Sequence, residues 1–286
     1  VTDLSSTIKP VILLADSQLL FWRDEEGKLF LERALALFEE EAPGRDLKAA
    51  YLGASNGDLR EFYDLFVAAM GEVRVCSCRQ IPSNPSPEDL AFLGEADLIL
   101  LAGGDVRKGW TVFQESGLKD KIVERYYGGA LLLGVSAGAV QLGLKGWDED
   151  EDTRLFDTFR IVPFVVDVHD EPSWARLNRV VPRAGEHARG FGIPSGGGAI
   201  YHPDYSVEPV RHPVVEVDLT EEGVRQALLF PGEGGSEAEP EKPAPSPIVQ
   251  EILRDGTLNL HSESYTVDPE PEVPATAGKP DDEQVN

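Results

Sequence analysis

The sequence contains very little cysteine: Cys76 and Cys78 are the only two among 286 residues. With a single residue between them, they favour neither a mutual disulfide nor a zinc site with four ligands. A chain so poor in cysteine is typical of a reducing compartment, so we expect a cytoplasmic protein. The sequence also lacks an apolar run close to the roughly 20 residues that a helix needs to cross a bilayer, so no membrane-spanning segment is expected.

Basic residues are scarce as well. The 26 lysines and arginines are outnumbered by 51 aspartates and glutamates, which gives a formal net charge of -25. The field around such a chain repels phosphate backbones and anionic membrane surfaces, so neither nucleic acid nor a membrane is an expected partner. What the chain does have is length and apolar content: 286 residues, 41% of them hydrophobic, suffice for a full globular core.

Acidic residues and prolines concentrate at the C-terminal end, in GEGGSEAEPEKPAPSP and DPEPEVPATAGKPDDEQVN. Neither stretch carries periodic apolar residues, so neither buries enough surface to offset the entropy lost on ordering. We therefore predict an α/β domain over residues 1–232 and a disordered tail over residues 233–286.

Within residues 1–232, short β-branched or leucine-rich runs alternate with helical patterns, which predicts a mostly parallel sheet flanked by helices. The predicted strands are Val11–Leu14, Lys48–Leu52, Val73–Cys76, Asp97–Leu101 and Ala130–Val135. After Asp167 we predict a short helix around Trp174–Val181. The runs GGGAIYH, SVEPVRH, PVVEVDL and QALLF then predict antiparallel strands that extend the sheet.

One helix has a clear predicted start. In SNGDLREFYDLFVAAM, Ser55 and Asp58 have the spacing of a capping box. Apolar residues recur behind them at helical spacing and predict a stripe that faces the core, formed by Leu59, Phe62, Phe66 and Met70.

The segment GALLLGVSAGAVQLG, residues 129–143, contains a G-x-S-x-G motif centred on Ser136. A buried strand before the motif and small residues after it predict a sharp strand-to-helix turn, on which a serine hydroxyl is exposed at the carboxyl end of the sheet. The free N–H groups of the following helix can stabilise an oxyanion. A nucleophile is one interpretation, and a small residue in a tight turn is the other.

Two further glycine-rich stretches are weaker candidates for a site. In LLAGGDVRKGW the glycines do not form G-x-G-x-x-G and no G-K-[ST] follows, so a nucleotide site is poorly supported. SGGG, residues 195–198, lies between short strands and predicts a hairpin or a tight turn.

A nucleophilic serine needs a base, and of the five histidines His169 is the best placed. It closes the apolar run IVPFVVDVHDEP, so a strand delivers it to a strand end. An acid to orient its imidazole could come from Asp167, Asp170 or Glu171 beside it, or from WDEDED, residues 147–152.

Several motifs, in this order along the chain, together resemble the serine peptidase family of dipeptidase E and cyanophycinase: YLGASNGDLREFYDLF, LLAGGD, GVSAGA, VDVHDEPSWARLNRVV and GFGIPSGGGAI. The resemblance covers roughly residues 10–232. It implies a flavodoxin-like fold related to the class I glutamine amidotransferases, with serine where those enzymes carry cysteine.

The resemblance also implies the roles of individual residues. Ser136 is then the nucleophile, His169 its base, and Glu151 the acid, with Asp152 as the alternative by spacing. The oxyanion donors are the N–H groups of Ala137 and of Gly103 or Gly104. The implied substrate-binding residues are Asp105, which closes LLAGGD, and Arg176 and Arg179, which lie on one helical face.

The implied reaction is acyl transfer to serine and needs no metal and no cofactor. The implied partner is a small acidic or aspartyl peptide or isopeptide, and a homodimer is compatible with the sequence. Pro172, Ser173 and Trp174 interrupt the arginine pattern of the cyanophycin-cleaving members, which argues against cyanophycin. The alternatives are a non-catalytic amidotransferase-like binding or regulatory domain and an esterase of the α/β-hydrolase type.

Overall fold

The computed structural model describes residues 8–232 except 42, 74, 76, 149, 150 and 171. The predicted tail, residues 233–286, lies outside the described residues. Within the described ranges, no helix combines the length and apolar character needed to cross a membrane. The helices in this part of the chain are α1 (Phe30–Glu41), α2 (Arg60–Gly71), α3 (Pro87–Glu95), α4 (Val106–Glu115), α5 (Leu118–Tyr127), α6 (Ala137–Leu142) and α7 (Ala175–Ala184).

A seven-stranded sheet forms the centre of the fold. Its strands are β1 (Val11–Leu14), β2 (Lys48–Leu52), β3 (Ser77–Ile81), β4 (Leu98–Leu101), β5 (Leu131–Val135), β10 (Gly198–Tyr201) and β11 (Val207–Val210). They lie in the order β11-β10-β1-β5-β4-β2-β3. The strands β1 to β5 are mutually parallel, and β10 pairs antiparallel with both β1 and β11.

Both faces of this sheet are covered, and alternate residues of a strand serve opposite faces. In β1, Val11 and Leu13 pack into the core on the side of α3 to α6, whereas Ile12 and Leu14 pack into the core under α1 and α2. Every residue of β5 is buried. Such strands read as continuous hydrophobic runs, which is why four of the five parallel strands were identifiable from sequence.

A second sheet lies on the α6 side, with the order β13-β12-β9-β8. Its strands are β8 (Val165–Val168), β9 (Arg189–Ile193), β12 (Val214–Thr220) and β13 (Gly223–Leu229). A hairpin of β6 (Lys145–Asp148) and β7 (Glu151–Asp157) stands apart from both sheets. The expectation that all the C-terminal strands extend the central sheet is wrong for β12 and β13, because β12 pairs with β9. The predicted α/β fold with a β-rich C-terminal region is confirmed.

Three aromatic rings join the two sheets. Phe164, just before β8, meets Phe191 of the second sheet edge to face, with centroids 4.6 Å apart. The same ring meets Tyr201 of the central sheet at 5.5 Å and an interplanar angle of 84°. We call Phe164, Phe191 and Tyr201 the aromatic seam. Through it the two sheets share one core.

Two local predictions are wrong. The strand expected at Val73–Cys76 begins instead at Ser77, because α2 runs as far as Gly71 and a turn follows it at residues 72 and 73. Its sequence, SCRQI, is polar because β3 is an edge strand that pairs only with β2 among the described strands. The capping box is also absent: α2 begins at Arg60 with no side-chain cap, and Leu59 is 42% exposed.

Candidate active site

Ser136 lies at the turn between β5 and α6, at the carboxyl end of the central sheet. Its backbone adopts φ 50° and ψ -114°, a conformation that residues other than glycine rarely adopt. Its N–H donates to Leu14 O at 2.9 Å, at the end of the neighbouring β1. The predicted strand, sharp turn and helix are confirmed, with a half-buried Ser136 at the turn.

The glycines that flank Ser136 are required by close packing. A Cβ at Gly138 would lie 2.1 Å from Leu101 O, and one at Gly134 would lie 2.6 Å from Ala139 N. Both distances are far below ordinary van der Waals contact, so side chains at these positions would push α6 away from β4 and β5. The two glycines of the G-x-S-x-G motif are therefore explained by close packing of the turn.

The turn after β4 lies beside Ser136. A Cβ at Gly103 would be 3.2 Å from Ser136 Cβ and 3.8 Å from Ser136 Oγ. Within the described ranges, neither the Gly103 nor the Gly104 N–H donates a hydrogen bond. Ala137 opens α6, so its N–H has no intrahelical acceptor. The structure thus brings Gly103 next to the hydroxyl and leaves the N–H groups of the predicted oxyanion residues available.

A short 3₁₀ helix, Ala54–Asn56, supports this glycine turn. Gly104 has φ 131°, and a Cβ there would lie 2.3 Å from Ser55 O. The Asp105 N–H donates to the same carbonyl at 2.9 Å. The Asp105 carboxylate accepts a hydrogen bond from the Lys108 N–H at 2.7 Å and so caps α4. Asp105, predicted to bind substrate, is placed here as a helix cap.

A buried amide on α6 completes the support. Gln141 is fully buried, and its Nε2 donates to Ser55 Oγ at 3.0 Å and to Val106 O at 2.9 Å. A buried amide is retained at low cost only when it is hydrogen-bonded in this way. Gln141 therefore links α6, the helix that follows Ser136, to the 3₁₀ helix Ala54–Asn56 and to the start of α4.

His169 follows β8 directly, as predicted, and its φ of 63° is in the left-handed region. Its N–H donates to Ile193 O at 3.4 Å, next to the end of the parallel β8–β9 pair. Its Nδ1 lies 3.1 Å from Ser195 Oγ. Among the described residues, no hydrogen bond joins His169 to Ser136 Oγ.

The carboxylates closest to His169 in sequence bind elsewhere. Asp167 is fully buried and pairs with the guanidinium of Arg176 through Nε at 3.0 Å and through Nη2. Burial raises the pKa of the Asp167 carboxyl above its usual range, and Arg176 opposes that rise. Asp170 accepts a hydrogen bond from the Arg176 N–H at 2.8 Å. Glu171 lies outside the described residues.

The predicted substrate arginines on α7 differ in their surroundings. Besides Asp167, the guanidinium of Arg176 donates to Val168 O at 3.1 Å and lies over the Trp147 ring at 5.2 Å. It therefore braces β8 and the loop that carries His169. Arg179 is exposed on α7.

The acidic cluster after α6 forms the β6–β7 hairpin. Asp148 accepts hydrogen bonds from Arg107, the nearer at 2.5 Å, and these hold the pKa of the Asp148 carboxyl below its usual range. The backbone of Glu151 opens β7 opposite Asp148. The side chains of Glu151 and Asp152 lie outside the described residues, so the predicted acid stays a prediction.

Ser195 is the contact that sequence reasoning missed. It lies in the loop between β9 and β10, residues 194–197, which links the second sheet to the central one. The Gly197 N–H donates to Pro194 O at 2.9 Å, so the predicted tight turn is confirmed, whereas a hairpin is not formed. The glycines of SGGG were the available signal, but they give no hint that β9 pairs in parallel with β8 beside His169.

In the part of the chain that the structure describes, no group of three or more histidine, cysteine, aspartate or glutamate side chains could hold a metal ion.

One family model and several solved structures are similar to this chain. The model of peptidase family S51 matches residues 31–194. A solved structure of a peptidase from an acI-B1 Actinobacterium is 18% identical, with a TM-score of 0.54 over 80% of this chain and 97% of that one. A protein from Listeria monocytogenes EGD-e, assigned as a peptidase E, is 14% identical, with a TM-score of 0.46 over 78% of this chain and 99% of that one. No curated protein sequence matches the chain.

Proposed function

The chain belongs to peptidase family S51, a family of serine peptidases, and we propose that Ser136 is its nucleophile and His169 its general base. The observation that carries this proposal is the turn at Ser136. A serine held at φ 50° between a buried strand and a helix, with Gly103 against its side chain, has the geometry of a nucleophile elbow, which exposes the hydroxyl for acyl transfer.

The reaction begins when Ser136 Oγ attacks the carbonyl carbon of the substrate, and His169 takes the hydroxyl proton through Nε2. Negative charge then develops on the carbonyl oxygen. The N–H groups of Ala137 and of Gly103 or Gly104 donate to that oxyanion.

The amine leaves with the proton from His169, and an acyl-enzyme remains on Ser136. Water then attacks the ester carbonyl while His169 takes a proton from it, and the acid product departs with Ser136 restored. The mechanism requires the imidazole to reach Oγ in the substrate complex, where catalytic hydrogen bonds commonly tighten.

For the substrate we propose small acidic or aspartyl peptides or isopeptides, in a cytoplasmic setting. Of the two predicted substrate arginines, Arg179 is exposed to solvent, whereas Arg176 is half-buried against Asp167. An exposed guanidinium on the helix that follows His169 can donate two parallel hydrogen bonds to a carboxylate. Arg179 is therefore the better supported candidate for recognition of the acidic group.

Covalent labelling tests the nucleophile. We expect a fluorophosphonate probe to label the full chain and Ser206→Ala, in which an exposed turn serine is lost, but not Ser136→Ala. Circular dichroism of each variant shows whether it is folded. Labelling of Ser136→Ala at the wild-type rate would contradict the assignment, and folded wild-type protein that is never labelled would favour a non-catalytic amidotransferase-like domain.

A substrate panel tests the specificity. Aspartyl dipeptides, β-aspartyl-arginine and short-chain esters are compared at equal concentration, and we expect the aspartyl compounds to have the highest kcat/KM. Turnover of esters alone would instead identify an esterase. With Arg179→Gln we expect KM for the acidic substrates to rise while kcat changes little.

A further inference from the structure

We propose that a hydroxyl, not a carboxylate, orients the catalytic base of this protein: Ser195 Oγ accepts the Nδ1–H of His169. This inference rests on the proposed function of His169 as base. It assigns Ser195 as a positioning residue, since Ser195 acts through the imidazole and does not touch the reacting atoms.

The direct contact is the 3.1 Å between His169 Nδ1 and Ser195 Oγ. A neutral imidazole has one N–H, and the hydrogen bond of one ring nitrogen decides which nitrogen is free. With its proton on Nδ1 and donated to Ser195, His169 presents the lone pair of Nε2. That nitrogen is the one that accepts the proton of a serine nucleophile.

The described carboxylates around His169 are engaged elsewhere. Asp167 is paired with Arg176, and Asp170 accepts a hydrogen bond from the Arg176 N–H. In the acidic cluster that was predicted to supply the acid, Asp148 is bound by Arg107. Within the described ranges, Ser195 is the single side chain hydrogen-bonded to the His169 ring.

The β8–β9 pairing fixes the distance between the two residues. Val168 is the register partner of Ile193 in this parallel pair. His169 comes one residue after Val168, and Ser195 comes two residues after Ile193, so both side chains leave the same edge of the second sheet. The His169 N–H closes this edge through its bond to Ile193 O.

The loop that carries Ser195 is also anchored to the central sheet. The Ala15 N–H, just past β1, donates to Gly197 O at 3.0 Å. Asp16 Oδ2 accepts from the Gly196 N–H. β1 pairs with β5, and the end of β5 carries Ser136. These bonds therefore hold the Ser195 loop in a fixed position relative to the proposed nucleophile. A positioning residue needs this kind of support.

The chemical consequence concerns charge. A hydroxyl fixes the tautomer and the ring orientation of His169 as a carboxylate would, but it adds no negative charge to stabilise the imidazolium that forms in the transition state. Ser195→Asp supplies that charge at the same position. We therefore expect Ser195→Asp to match or exceed the kcat of the wild type.

The test uses the full chain with Ser195→Ala and the conservative variant Ser195→Thr. We expect Ser195→Ala to lower kcat about 10-fold to 100-fold with little change in KM, because a mis-oriented base loses part of the about 10²- to 10⁴-fold contribution of general base catalysis. Ser195→Thr keeps the hydroxyl and should stay within a few-fold of the wild type. Ser206→Ala is the matched control.

A spectroscopic readout separates positioning from a structural role. In ¹⁵N NMR of the imidazoles, assigned with His169→Gln, we expect the Nδ1–H tautomer of His169 in the wild type and a shift toward the Nε2–H tautomer in Ser195→Ala. An unchanged tautomer, or a Ser195→Thr variant as impaired as Ser195→Ala, would overturn the proposal.

The tautomer can also be measured in Ser136→Ala, which is expected to have no turnover. If His169 is in the Nδ1–H form in Ser136→Ala, the Ser195 contact is supported independently of whether Ser136 is the nucleophile. Full activity of Ser136→Ala, by contrast, would overturn the proposed function and leave the tautomer result intact.

Discussion

Asp16 Oδ2 accepts a hydrogen bond from the Gly196 N–H at 2.6 Å. The other oxygen of this buried carboxylate accepts from the Gln18 N–H at 2.8 Å and caps a short 3₁₀ helix, Ser17–Leu20. One side chain therefore fixes both the segment that follows β1 and the loop that presents Ser195.

The first prediction concerns this carboxylate. Asp16→Ala removes both acceptors and should lower the free energy of unfolding by about 1–3 kcal/mol, since it leaves the buried Gly196 N–H unpaired. Turnover should fall as well, because the Ser195 loop loses an anchor. The matched control is Asp204→Ala, which removes a similar contact to the Ser206 N–H in an exposed turn. Urea unfolding and kcat are measured for both, and equal effects would contradict the prediction.

The second prediction concerns the turn at Ser136. Gly138→Ala introduces a Cβ 2.1 Å from Leu101 O, and we expect a loss of about 1–3 kcal/mol or more from the strain of overpacking. Fluorophosphonate labelling should slow because α6 shifts away from β4. Gly71→Ala at the end of α2 meets no atom within 4 Å and should change stability by about 1 kcal/mol or less, in the favourable direction. Urea midpoints compare the two variants, and a benign Gly138→Ala would refute the packing argument.

The third prediction concerns the buried ion pair. Arg176→Met leaves the Asp167 carboxylate without its guanidinium and should cost about 3–5 kcal/mol at neutral pH. Arg225→Met breaks an exposed pair with Asp218, in which the arginine side chain is 64% exposed, and should cost far less, because water and salt screen an exposed pair. Chemical denaturation measures both, and similar losses would show that the Asp167–Arg176 pair does not behave as a buried one.

The same variant has a pH dependence with a defined sign. Burial raises the pKa of the Asp167 carboxyl, and removal of the opposing guanidinium raises it further, so the folded variant binds a proton that the unfolded chain releases. Stability from such a group is present at low pH and is lost as the pH rises through the folded-state pKa. The deficit of Arg176→Met relative to the wild type should therefore shrink between pH 7 and pH ~4.5. A deficit that grows on acidification would contradict this account.

How much of this fold was predictable depends on burial. The strands β1, β2, β4 and β5 are covered on both faces, so their apolar runs mark them in the sequence. The edge strand β3 is half-buried and polar, so no apolar run marks it. The strand was therefore predicted at the residues just upstream, Val73–Cys76. The separation of β12 from the central sheet depends on its pairing with β9, a long-range contact that no local pattern encodes.

The candidate site divides in the same way. The environment of Ser136 was predictable because a turn between one strand and one helix is local in sequence. The surroundings of His169 were not predictable, since Ser195 lies next to His169 because β8 pairs with β9, a contact between segments distant in sequence. Likewise, the contact between Arg176 and Asp167 depends on how α7 folds back on β8.

The fourth prediction concerns the half-buried thiol of Cys78. Burial raises the pKa of this thiol to about 11, so only about a thousandth of it is thiolate at pH 8. With Cys76→Ser as background, iodoacetamide should alkylate Cys78 far more slowly in the native protein than in urea. Free glutathione serves as the reference thiol, and native alkylation as fast as in urea would contradict the effect of burial.

The aromatic seam has a consequence for how this protein can change. Ser136 is carried by the central sheet and His169 by the second sheet, and Phe164 packs against a ring from each. The alignment of the proposed nucleophile and the proposed base is thus set in part by three side chains that take no part in bond making. Substitutions among these rings offer a route by which natural variation or a designer can adjust the catalytic rate while every polar residue of the site stays the same.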